Sequence, residues 1–225
     1  MKARSSEICV ICGLQPAKTD DHVPPKCIFP RPRPSDLITV RTCLDCNKST
    51  SKFDEVLKVF IGIAAGHGPE GEKMFKEQTK RTLQHNRCLR RDIASTMRDV
   101  WVKTPEGLVL GKRPAVLLNS KAHDQIIEKT IRGLHFHHKG VILGDATDIT
   151  VNWHYCLTKD MYDMSVGWST GVVGGGQFMY KFVTPQEEPL ASVWIFEFFG
   201  RAWSSGTVLP KATRMVEQGG GHIRR

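Results

Sequence analysis

The chain has 225 residues, 40% of them hydrophobic and 24% charged, with 32 Lys and Arg against 23 Asp and Glu and a formal net charge of +9. That is the composition of a globular protein with one large domain, or a small one plus a medium one; its positive excess favours polyanionic partners such as nucleic acid. No run of 18 apolar residues occurs, and the opening MKARSSEICV has no apolar core, so neither a membrane-spanning helix, a membrane partner nor a secretory signal is expected.

Residues 1 to 65 read as a first unit. EICVIC, residues 7–12, is a short strand or turn leading into a Cys-x2-Cys knuckle. RPRPSD, residues 31–36, cannot lie inside a helix and predicts an exposed loop. LITVRTC has strand character. LDCNKSTSKFDEVLKVFIGIAA then predicts a helix, with Phe53, Val56, Leu57, Phe60 and Ile61 at helical spacing. GHGPEG, residues 66–71, marks its end and a boundary.

Residues 66 to 104 predict a basic helical connector. From 72 to 103, nine Lys or Arg stand against four acids, which suits a solvated helix face or a surface that tracks phosphates.

Residues 105 to 225 predict an α+β C-terminal domain rich in antiparallel strand, of unassigned fold. PEGLVLGKRPAVLLN suggests a hairpin. SKAHDQIIEKTIRGLHF suggests a helix with Ile127, Ile131 and Leu134 on one face, ending at or just past Gly133. LHFHHKG would then be a helix-to-strand connection, with His135 and His137 on one face of a strand and no trusted ligand spacing. DITVNWHYCL, MSVGWSTGVV, QFMYKFVT and SVWIFEFFG predict strands. GVVGGGQ lacks the glycine order of a dinucleotide fingerprint and predicts a hairpin turn. The aromatic SVWIFEFFGRAW predicts a buried strand with Arg201 and Trp203 near a surface, and the tail EQGGGHIRR a mobile end.

Seven cysteines are present. Cys27, Cys88 and Cys156 are scattered and read as small, buried or partly buried side chains. Cys9, Cys12, Cys43 and Cys46 form two Cys-x2-Cys pairs, the spacing of a tetrahedral structural zinc site in a reducing, cytoplasmic compartment. Few large apolar side chains precede residue 53, so this zinc is expected to contribute to folding. Four thiolates close the coordination shell, so chemistry must come from the residues the zinc positions.

Between the knuckles stand Asp21 and His22, and Asn47 follows the last cysteine. An imidazole titrates near neutral pH and can take a proton from water, while Asp and Asn oxygens suit a hard cation such as Mg²⁺. Taken alone, His22 is equally a hydrogen-bonded loop residue and Asn47 a helix N-cap.

In order, the Cys pair, Asp-His, strand, Cys pair and Asn of residues 9 to about 60 resemble the HNH, or ββα-metal (His-Me finger), endonuclease superfamily in its zinc-bound four-cysteine form, as in phage recombination endonuclease VII. The resemblance implies an N-terminal ββα-metal nuclease module at 1–65 within an α+β chain. It further implies His22 as the general base, and Asp21 and Asn47 as ligands of a catalytic Mg²⁺ or Mn²⁺. Hydrolysis of DNA to 5′-phosphate and 3′-hydroxyl ends would follow. The second histidine of many such sites is missing from KSTSKFDE; Asp54, backed by Glu55, is the candidate third metal-site residue, or it faces solvent. Double-stranded DNA is the expected partner. One site cuts one strand, so a double-strand break needs a homodimer or sequential nicks. The C-terminal domain would position substrate, dimerise or bind a protein partner. The alternative expectation is a catalytically inactive zinc module that binds nucleic acid or a protein.

Overall fold

Residues 6–66, 68–104, 107–117 and 119–211 are described by a computed structural model of the chain; the glycine-rich tail at 217–225 lies outside them. A β-bridge between Ile8 and Pro16 closes the first knuckle. Strands β1 (Thr19–His22) and β2 (Thr39–Thr42) pair antiparallel, with Asp21 opposite Val40 and His22 opposite Thr39.

The helix expected from residue 44 comes in two pieces, α1 (Leu44–Ser49) and α2 (Ser51–Ala65). Hydroxyls cause the break. Ser49 Oγ donates to the Cys46 carbonyl and Ser51 Oγ to the Lys48 carbonyl, and such local bonds compete with the helical ladder.

The basic segment holds α3 (Pro69–Met74), which has its proline in the first turn where no N–H is needed. A π-helical turn, Phe75–Thr79, joins it to α4 (Lys80–His85), and α5 (Arg87–Thr96) follows, capped by Asn86. Residues 98–103 of the basic segment are not helical: β3 (Arg98–Lys103) pairs antiparallel with β4 (Val109–Ala115). The predicted hairpin therefore has its first strand before residue 105, where the consecutive Val100, Trp101 and Val102 favour extended backbone.

Helix α6 (Ser120–Lys139) runs from an Asn119 cap to Gly140, whose φ of +74° ends it in the left-handed conformation. It passes through Gly133 and continues to Lys139, so LHFHHKG forms its last turns instead of a strand. At about 100° per residue, His135 and His137 do not share a face.

The remaining elements are β5 (Thr147–His154), α7 (Lys159–Met164), β6 (Ser169–Val173), β7 (Phe178–Val183), β8 (Ser192–Phe198) and β9 (Ala202–Pro210). Their strands form one antiparallel sheet in the order β5-β9-β8-β7-β6. Met164 ends α7, so only the second half of MSVGWSTGVV is extended. The fold is thus mixed α+β with antiparallel sheets.

On the sheet's inner face, Phe178, Tyr180, Phe182, Trp194, Phe196 and Phe198 alternate inward and stack. Ile126, Ile127, Ile131 and Leu134 of α6 pack on them, and Leu57, Ile61 and Ala65 of α2 with Val23, Ile28, Phe29 and Val40 complete the same cluster. One core therefore runs from the β1–β2 unit to β9, with α6 between the sheet and α2. A smaller cluster, Val59 and Phe60 with Leu89 and Ile93, joins the opposite side of α2 to α5. Cys27 is half-buried, whereas Cys88 and Cys156 are exposed, contrary to expectation. No helix among the described residues is long and apolar enough to cross a membrane.

Gly133 is where α6 meets the end of the β1 segment. A Cβ there would stand 2.6 Å from Val23 Cγ1 and 2.8 Å from Cγ2, and Val23 is buried in the core. Alanine improves helix propensity by about 1 kcal/mol, but the overlap costs about 1–3 kcal/mol. Gly133→Ala is therefore expected to lower stability by up to about 2 kcal/mol in urea unfolding; a more stable variant would contradict this packing.

Candidate functional site

The four sulfurs of Cys9, Cys12, Cys43 and Cys46 lie within 4.8 Å of one another. Zinc with bonds of about 2.3 Å spaces tetrahedral sulfurs by about 3.8 Å, so the cluster needs only slight closure to hold a metal such as zinc. The backbone shapes it. Gly13, at φ +69°, turns the chain after Cys12 and returns its N–H to the Cys9 carbonyl at 2.8 Å. Cys43 caps α1, and its Sγ accepts from the Cys46 N–H at 3.4 Å. Burial pushes the Cys9 and Cys46 thiols up. Burial also acts on Cys12, but the backbone N–H groups of Leu14 and Gln15 outweigh it and draw that thiol down to about 7, which favours the thiolate that ligates metal. Cys27 does not join the cluster; its Sγ donates to the Asp54 carbonyl at 3.5 Å, and burial pushes it up to about 12.

Beyond the cluster, β1 alternates. Asp20 faces solvent, in a 3.4 Å ion pair with Arg41. Asp21 turns inward, with its side chain 16% exposed. One carboxylate oxygen of Asp21 accepts from the His22 backbone N–H at 2.8 Å. The other meets the Lys129 ammonium of α6 at 2.5 Å. Lys129 Nζ also donates to Thr50 Oγ1 at 3.0 Å.

Asp54, in the first turn of α2, belongs to the same group. Burial pushes its carboxyl up to about 6, with Lys129 opposing and Asp21 adding to the rise. Its Oδ1 is buried with no hydrogen-bond partner among the described residues. The ammonium pairs with Asp21, while Asp54 keeps one oxygen without a partner among the described residues; carboxylate oxygens are hard donors that suit Mg²⁺ or Mn²⁺.

Asn47 is placed differently. Its Nδ2 donates to Thr19 Oγ1 at 2.9 Å and to the Asp20 carbonyl at 3.2 Å. The side chain thus ties α1 to β1, leaving its carbonyl oxygen Oδ1 as the remaining acceptor. His22 is half-buried, and its ring makes no hydrogen bond among the described residues. Burial, then Lys26, pushes the imidazole below its usual 6.5, with Asp21 opposing. It is therefore neutral at physiological pH and able to accept a proton.

Asp21 and His22 are thus adjacent at the end of β1, and Asp54, in the first turn of α2, lies within electrostatic reach of Asp21. Sequence reading missed Lys129, although a signal existed: Ala122, Ile126, Lys129 and Gly133 make one helical stripe, and a lysine on a core-facing stripe requires a buried partner. The α6 histidines hold structure elsewhere. His135 bonds the Pro189 carbonyl at 3.0 Å and is pushed down to about 4 by burial, and His138 meets the Tyr180 hydroxyl at 2.8 Å.

A basic cleft is formed by other residues. Arg31, Arg33, Lys58, Arg81 and His85, with Glu55 and Glu77, line a cleft of about 600 Å³. Arg33, which lines the cleft, is also among the charges that act on His22. Comparison with protein-family models, curated proteins and solved structures finds no match to this chain.

Elemental analysis of the purified protein is expected to give one zinc per chain. Cys43→Ser should lose that zinc and lower the midpoint of thermal unfolding by roughly 10 °C or more. A metal-free chain with an unchanged midpoint would remove the cluster's structural role.

Proposed function

We propose that this chain is a metal-dependent endonuclease of the HNH class that hydrolyses phosphodiester bonds in DNA, its ββα-metal module held by a structural zinc. The observation that carries this reading is an imidazole, His22, whose ring makes no hydrogen bond among the described residues and which directly follows a carboxylate, Asp21, within electrostatic reach of Asp54.

His22 accepts a proton from the attacking water through an imidazole nitrogen. The water oxygen bonds to phosphorus as the bond from phosphorus to the 3′ oxygen breaks. A 5′-phosphate remains, and the 3′ oxygen takes a proton from solvent. Asp21 and Asp54, with Asn47 Oδ1 as the candidate third ligand, would hold a hard divalent cation, which would supply neutralisation of the charge that develops on the phosphate. Asn47 Nδ2 fixes β1, and so the place of Asp21 and His22, relative to α1. Arg31, Arg33, Lys58 and Arg81 meet the charge of neighbouring phosphates along the cleft. A double-strand break then requires a homodimer or two successive nicks.

Plasmid with Mg²⁺ or Mn²⁺ tests this. Wild-type protein is expected to nick it, and His22→Ala to slow nicking at least about 100-fold with DNA affinity retained. Cutting needs the neutral imidazole, so activity falls as pH drops through the His22 pKa. Burial and Lys26 set that pKa below 6.5, and a cation at Asp21 pushes the same way, so the midpoint of the decline should lie below pH 6.5. Nicking that survives in His22→Ala rejects the assigned base. DNA binding without cutting by either protein assigns the non-catalytic zinc module instead.

A further inference from the structure

Lys129 is the one lysine classed as buried among the described residues, with 6% of its side chain exposed. It comes from α6, in the part of the chain remote in sequence from the knuckles, and its ammonium ends between Asp21 Oδ2 and Thr50 Oγ1. Asp54 lies within electrostatic reach of both Asp21 and Lys129. Two carboxylates and one ammonium leave a net charge of −1 in a largely desolvated place. The ammonium is committed to Asp21 and Thr50, and Asp54 Oδ1 has no donor among the described residues.

A divalent cation on the two carboxylates would make the group neutral without the lysine, but +1 with it, two like charges then sharing Asp21. Lys129 and the metal are therefore alternative partners of the same carboxylate oxygen. The stem of Lys129 leaves the core-facing stripe of α6, so Nζ can withdraw from Asp21 by rotation about the side-chain bonds while the helix stays packed. Thr50 Oγ1 remains as a partner for the withdrawn ammonium.

We propose that Lys129 is a positioning residue that occupies the cation place at Asp21 Oδ2, within electrostatic reach of Asp54, and competes with the divalent metal for it. It neutralises Asp21 in the metal-free protein and sets how much metal is needed to load the site. It also makes loading dependent on α6, and through α6 on the sheet. The inference rests on the proposed function only where that assigns a divalent metal to Asp21 and Asp54. Its test reads metal affinity, so it is decided separately from whether DNA is cut.

The experiment is a titration of the zinc-loaded full-length chain with Mn²⁺, followed by the electron paramagnetic resonance of free Mn²⁺ and by calorimetry. Lys129→Met removes the charge but keeps the apolar stem; Lys129→Gln keeps a hydrogen-bond donor and serves if the methionine variant folds poorly. Either variant is expected to bind Mn²⁺ at least about 10-fold more tightly than wild type, and Lys129→Arg, which keeps the charge, no more tightly. Adding Asp54→Asn to the neutral variant should abolish the gain, which places it at this site. Equal or weaker Mn²⁺ binding by a folded, zinc-containing neutral variant would overturn the proposal. So would a gain that persists when Asp54 is replaced. Wild-type protein that binds Mn²⁺ in the expected order but does not nick DNA would retire the nuclease reading and leave Lys129's role standing.

Discussion

Everything near Asp21 and His22 depends on the convergence of four cysteine sulfurs. The β1–β2 pairing has four residues a side, and an isolated two-stranded pairing of that size is marginal in water. Residues 9–12 and 43–46 flank it in sequence, and bringing their sulfurs within 4.8 Å fixes both ends of the pairing at once. Register follows, and with it the inward turn of Asp21. The same clamp makes Cys43 the cap of α1, which sets Asn47 against β1. One cluster of soft ligands thus determines where the hard, oxygen-rich group behind it can form.

Helix α6 is the second determinant. It carries the core between the five-stranded sheet and α2, and it approaches Val23 closely because residue 133 is a glycine. On the sheet side, Gly206 of β9 leaves the room that Ile131 fills. Between those contacts Lys129 reaches Asp21, so the C-terminal part of the chain contributes a side chain to the group formed by the N-terminal part. The two are joined by one continuous core as well as by that ion pair, so a change in packing at the sheet is felt at Asp21 through a single helix.

What was legible in the sequence was what a short-range pattern could carry. Paired Cys-x2-Cys spacing announced the cluster, 3.6-residue periodicity announced the apolar faces of α2 and α6, and alternating aromatics announced β7 and β8. Positions governed by long-range contact were not legible. Gly133 looked like a helix end, yet it is held inside α6 because only a residue without a Cβ fits against Val23. Arg98–Lys103 looked like the tail of a basic helix, yet it pairs with a strand that follows a turn. Asn47 offered an oxygen by its chemistry, but the hydrogen bonds that engage its nitrogen come from a strand 28 and 27 residues earlier. Lys129 was visible only as an ill-placed charge on an apolar stripe; its partner lies more than a hundred positions away.

The central claim is that a sulfur-bound zinc holds Asp21 and His22 beside Asp54 so that a second, oxygen-ligated cation can bind there. Anomalous scattering from crystals soaked in excess Mn²⁺, recorded at the zinc and manganese edges, addresses it directly. The account predicts a zinc peak about 2.3 Å from each of the four sulfurs and a separate manganese peak within about 2.5 Å of carboxylate oxygens of both Asp21 and Asp54. Manganese absent from that pair, or zinc absent from the cysteines in a chain that remains folded, would contradict it.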